Sequence, residues 1–192
     1  MSQLGRPLQV ESLPAAVLFV AHGLAGYHMQ LCVAFNSNCV SGDLATNLAR
    51  AETLILAATL IAVWFAFARG EARTDRFLRA SAAAVVAFVA LGRVLSPQYL
   101  IWLVPLVPLV SGWRGTLAIA FLAAALAMTA AYFPGGYGAL VNRLDQATAW
   151  TILIRDVTLV GLLAVLALPR PGHLDVRTLR RRSSAPMGAQ PL

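Results

Sequence analysis

Arg93, Ser96, Gln98 and Tyr99 fall within the ten residues Arg93-Val94-Leu95-Ser96-Pro97-Gln98-Tyr99-Leu100-Ile101-Trp102, between two runs that are otherwise apolar. A guanidinium, a hydroxyl suited to capping, a proline suited to a first helical turn and two hydrogen-bonding side chains are the parts of an anion site. At a helix start the backbone N–H groups are unpaired and the dipole is positive. The competing reading is local: Arg93 complements the end of its own helix and snorkels to water, while Gln98 and Tyr99 anchor at an interface. A second charged pair, Arg155-Asp156, lies inside another apolar run whose outer edge is Trp150. Five residues of helix put Arg155 about 8 Å below that edge, a depth at which charges face a polar cavity or a partner. A functional Arg155 converges with Arg93 on one phosphate-like anion; a structural one pairs with a carbonyl or with an acid of another helix.

The elements that carry these residues follow from composition. Of 192 residues, 59% are hydrophobic and 12% charged, with a mean hydropathy of +0.72. These values define an integral membrane protein. Windows near the roughly 20 residues needed to cross a bilayer occur at 52–68, 78–93, 98–112, 115–133 and 149–168, the third being the shortest. A sixth apolar stretch, 13–35, is interrupted by His22, Gly23, Gly26, His28 and Gln30. It predicts an interfacial or re-entrant helix from Leu13 to about Gly26, opened by Ser12 as cap and Pro14 in the first turn, and then a short hairpin. A secretory signal is the rival reading, opposed by Glu11 where such signals carry positive charge. The expected fold class is therefore an all-α membrane protein, a polytopic bundle of about five transmembrane helices plus an outward interfacial or re-entrant helix and short hairpin. Three regions follow: 1–51, outward helix and loop; 52–168, transmembrane bundle; 169–192, disordered basic tail.

All fifteen basic residues are arginines. Arg69, Arg73, Arg76 and Arg79 crowd one loop and Arg170, Arg177, Arg180, Arg181 and Arg182 the tail. The positive-inside rule makes both cytoplasmic. The net charge of +7 is thus assigned to topology and anionic membrane lipids, and no nucleic-acid partner is expected. Cys32 and Cys39 face outward, where a disulfide is permitted; two unpaired thiols are the preferred reading. His22 and His28 stand six apart on different helix faces and His173 lies in the tail, so neither a metal nor a cofactor is expected.

Four segments together carry a family resemblance: Gly5-Arg6-Pro7-Leu8-Gln9-Val10-Glu11-Ser12, Val40-Ser41-Gly42-Asp43-Leu44-Ala45, Leu95 to Leu106 with its Ser96-Pro97-Gln98-Tyr99 core, and Ile154-Arg155-Asp156. From Arg6 to about Leu168 the chain resembles the carboxy-terminal half of bacterial GT-C glycosyltransferases, in the branch of polyprenol-phosphate-mannose-dependent mannosyltransferases. The resemblance implies a multi-pass plasma-membrane enzyme that moves a hexose, mannose in that branch, from a polyprenyl-phosphate donor to a lipid-linked or glycan acceptor at the outer face. It also implies that the catalytic acid lies in an amino-terminal half not contained here. This chain is then expected to be a fragment, or one piece of a split enzyme whose other half is encoded separately, and inactive alone. Arg93, Ser96, Gln98, Tyr99 and Arg155 would bind the donor phosphate, with Arg6 and Gln9 in a supporting loop. Glu11 is the local base candidate, with loop support or pairing to Arg6 as its alternative role. The rival functions are a non-catalytic membrane scaffold or gene remnant and, behind these, part of a transporter.

Overall fold

The computed structural model describes residues 6–71 and 73–168; the tail expected at 169–192 lies outside them. The fold is mostly helical, 72%. Six α-helices are present among the described residues: α1 (Leu13–Ala25), α2 (Asp43–Ala68), α3 (Thr74–Ala90), α4 (Trp113–Tyr132), α5 (Gly135–Arg143) and α6 (Gln146–Ala167). Three of them, α2, α4 and α6, are long and apolar enough to cross a membrane.

The expectation of five such helices is corrected in two places. The window at 78–93 becomes α3, 17 residues and roughly 26 Å long, which begins in polar sequence and stops at Ala90. The window at 98–112 forms two 3-10 helices, Pro97–Leu103 and Val107–Leu109. Pro97, Pro105 and Pro108 remove N–H donors and clash with the preceding turn, so no α-helical ladder extends through them.

The all-α expectation is also corrected. Residues 6–42 build a three-stranded antiparallel sheet of order β1-β3-β2, from β1 (Leu8–Gln9), β2 (Gln30–Ala34) and β3 (Ser37–Ser41). Phe35 and Asn36, both at positive φ, form its two-residue turn, the geometry that matches the twist of paired strands. The Arg6 to Ser12 motif supplies the third strand, pairing Leu8 with Val40 and Gln9 with Cys39.

α1 occupies the span read from the sequence and ends at Gly26 in the left-handed conformation. Ser12 precedes it, but its hydroxyl donates to the Gln9 carbonyl at 2.8 Å rather than capping the helix. α2 runs unbroken across residues 51–52, where a boundary was expected.

α6 is the central helix, packed against α1, α3 and α4. Its buried residues Thr148, Ala149, Ile152, Arg155, Asp156, Leu159, Leu162, Leu163 and Leu166 recur at three- and four-residue spacing, the stripe of a core-facing helix. Two cores stack along it. One fills the bundle with Val86, Val89, Leu95, Leu103, Leu122 and Leu159; the other lies under the sheet with Leu8, Phe19, Val40, Tyr132 and Ile152.

At the start of α6, Asp145 accepts from the Thr148 N–H at 2.8 Å and from its hydroxyl at 2.7 Å. These bonds hold the exposed carboxyl below its ordinary value, the Thr148 hydroxyl first and its N–H second. A carboxylate depressed on folding stabilises above its unfolded pKa, and that contribution disappears as pH falls through the folded value. Asp145→Asn is expected to keep most of the cap and flatten this acid-side dependence, whereas Asp145→Ala loses both. Thermal unfolding in detergent at neutral and acid pH separates the two; equal melting of all three proteins at both pH values contradicts the cap.

Candidate functional site: a basic cleft beside a buried arginine network

Strand β1 brings Arg6 to the bundle, and its neighbour Gln9 donates its backbone N–H to the Arg93 carbonyl at 3.0 Å. Arg93 in turn donates through Nη1 to the Arg6 carbonyl at 3.0 Å and through Nε to the Thr53 hydroxyl, also at 3.0 Å. A second donor, Nη2, also meets the Thr53 oxygen. Arg6 lies over the Phe35 ring, 5.1 Å from its centroid. The result is a cleft of about 340 Å³ lined by Arg6, Arg50 and Arg93, with Ser41 and Thr46 adding hydroxyls and no acid among the lining residues. It opens at the start of α2, where Gly42 adopts φ +114°, a backbone favoured only for glycine. Three guanidiniums line this cleft at a helix start whose first turn carries Asp43; guanidiniums and helix starts are both groups that favour anions.

Arg155 is elsewhere. It is fully buried, and Nη1 donates to the Tyr132 oxygen at 2.7 Å, Nη2 to the Glu11 carbonyl at 2.8 Å, and Nε to Asp156 Oδ1 at 2.9 Å. The Tyr132 hydroxyl in turn donates to Glu11 Oε1 at 2.6 Å. Arg155 therefore ties α6, α4 and the amino-terminal motif together and does not line the cleft. The expected convergence of Arg93 and Arg155 on one anion is corrected: Arg93 lines the open cleft, whereas Arg155 is fully buried with its donors on Asp156, Tyr132 and Glu11.

The helix start at Ser96 is corrected as well. It opens a seven-residue 3-10 helix without a side-chain cap, too short to build a useful dipole. Tyr99 stacks on Trp102 with ring centroids 4.7 Å apart. Ser96, Gln98 and Tyr99 do not line the cleft.

Glu11 is 2% exposed. Burial raises its pKa, opposed by the Tyr132 hydroxyl and then by Arg155. A carboxyl raised on folding contributes most below its unfolded pKa and loses that contribution as pH climbs through the folded value. Glu11 is closed inside the network with its carboxylate on the Tyr132 hydroxyl, and it does not pair with Arg6 through any bond among the described residues.

Two residues were missed in the sequence. Arg50 lines the cleft about two turns into α2. Glu52, 4% exposed, has no hydrogen-bond partner for either carboxylate oxygen and interacts electrostatically with Asp156 and Arg93. The signal was available: Arg50 and Glu52 open a long apolar run, where charges mark the edge of a span.

Cys32 and Cys39 are direct cross-strand partners and form a disulfide, with Cα atoms 4.9 Å apart, which corrects the reading of two unpaired thiols. Arg114 is buried at the start of α4, with Nη1 donating to the Leu168 carbonyl. No group of His, Cys, Asp and Glu that could hold a metal ion occurs among the described residues.

The class these features define is a helical bundle with three helices able to cross a bilayer, carrying a basic cleft at its sheet-covered end. No family model matches the chain, and neither a curated protein nor a solved structure matches it.

Proposed function

We propose that this chain is the donor-holding part of a membrane glycosyltransferase of the GT-C kind, which moves a hexose, mannose by resemblance, from a polyprenyl-phosphate carrier to a lipid-linked or glycan hydroxyl. The observation that carries the reading is the acid-free cleft of Arg6, Arg50 and Arg93. In an inverting transfer the acceptor oxygen bonds to the anomeric carbon while the bond to phosphate breaks. The phosphate leaves with the electron pair, and the acceptor proton goes to a carboxylate. Guanidiniums stabilise the charge gathering on the leaving phosphate.

We read the sheet end as outward. A disulfide belongs to an oxidising compartment, and the opposite end carries Arg69, Arg73, Arg76 and Arg79, as the positive-inside rule asks of the cytoplasmic side of a plasma membrane. Because no acid lines the cleft and Glu11 is engaged in the network, we assign the acceptor's base to a separate amino-terminal half. The rival reading, a non-catalytic scaffold, draws on the same buried network as pure architecture.

The test is binding of a polyprenyl-phosphate hexose to the detergent-purified chain, followed by native mass spectrometry. Arg50→Gln, an exposed change, is expected to weaken it roughly ten- to a hundredfold, as loss of a charge-assisted bond does. Arg93→Lys is expected to retain more affinity than Arg93→Ala, because charge survives while the planar fork does not. Arg143→Gln, on α5, serves as control. Affinity unchanged in Arg50→Gln favours the scaffold. Transfer to an acceptor by this chain alone overturns the assignment of the base to another half.

A further inference from the structure

We propose that the opposite end of the bundle holds the phosphate headgroup of an anionic membrane lipid, independently of the donor cleft. A cavity of about 590 Å³ opens there, lined by Arg73, Arg76, Arg79 and Arg114 against Glu71 and Asp75. Its place in the fold selects the ligand. α2 and α6 end at it and α4 begins at it, so all three helices able to cross a bilayer bring it to headgroup depth. Trp113, 67% exposed on its rim, is the amphipathic ring expected at that level. Ala66, Val110 and Ala167 give the cleft an apolar wall for the start of an acyl chain.

The arginines are already held in place. Arg76 donates to the carbonyls of Ala66 at 2.7 Å, Phe67 at 3.1 Å and Glu71 at 3.0 Å, while Arg79 and Arg114 both reach the Leu168 carbonyl at the end of α6. Guanidiniums fixed on helix ends lose little further side-chain freedom on meeting a phosphate. A net excess of basic groups between apolar walls suits a lipid phosphate better than a fully soluble anion.

The full chain, purified in a zwitterionic detergent, is offered phosphatidylglycerol, phosphatidylcholine or inorganic phosphate, and bound lipid is counted by native mass spectrometry alongside thermal unfolding. The wild type is expected to retain phosphatidylglycerol over phosphatidylcholine. The pair Arg73→Gln and Arg79→Gln is expected to reduce that retention roughly tenfold or more, with Arg143→Gln at the far end unchanged. Should the double variant fail to fold, Arg73→Gln alone, at an exposed helix start, is read in the same assay and is expected to weaken retention. Equal retention of the two lipids by the wild type, or undiminished retention by the arginine variants, overturns the proposal. Equal protection by inorganic phosphate reassigns the cleft to a free anion and overturns the lipid.

Discussion

Arg155→Met is expected to destabilise the fold by about 3–5 kcal/mol, the range for breaking a buried ion pair by removing one partner. The substitution leaves Asp156 as an uncompensated buried charge and strips donors from the Tyr132 oxygen and the Glu11 carbonyl. Arg155→Lys keeps the charge but offers one nitrogen where three now bond, so it should recover only part of the loss. Arg155→Met combined with Asp156→Leu is expected to melt above Arg155→Met alone, since it removes the stranded carboxylate. Thermal unfolding of the detergent-purified variants gives the order. A double variant less stable than the single would show that Asp156 has another partner supporting it.

Loss of the Cys32–Cys39 bond, as Cys32→Ala with Cys39→Ala, is expected to cost about 2.5 kcal/mol from the chain entropy of a short closed loop. The effect should be local, because the hairpin is joined to the rest mainly through β1, the α2 start and the Asn38–Tyr137 hydrogen bond of 3.0 Å. Hydrogen exchange is expected to rise across residues 30–41 with little change in α4 or α6. Val40, Ser41 and Gly42 form one wall of the basic cleft, so donor affinity should fall as well. Unchanged exchange across the hairpin would place its stability in the strand pairing alone.

Local chemistry made much of this architecture readable. α1 announced both ends, Pro14 in its first turn and Gly26 where the left-handed residue falls. α4 and α6 announced themselves by apolar length. The 98–112 segment misled because hydropathy is blind to what Pro105 and Pro108 do to a helical ladder. The sheet was half visible: a hairpin could be inferred, but β1 pairs with Val40 and Cys39, far along the chain, and a two-residue strand has no periodicity to read. At the site, Arg93 was read as a phosphate partner and Arg6 as part of a supporting loop, and the two line one cleft. Arg155 was recognised as a costly charge, yet its partners Glu11 and Tyr132 sit on separate elements, and only the α6 stripe hinted that it faces inward.

The clamp between Glu11 and Arg155 joins residues 144 positions apart, and that separation has a consequence for biosynthesis. The amino-terminal motif leaves the ribosome long before the helix that will hold it. Until α6 has been made, α1 lacks the helix on which it packs, and Glu11 lacks the guanidinium that meets its carbonyl. Completion of the sheet-covered end is therefore tied to synthesis of α6. A translation product stopped before Arg155 would expose strand β1 and the apolar side of α1 to chaperones and proteases, a ready mark by which quality control could distinguish unfinished chains.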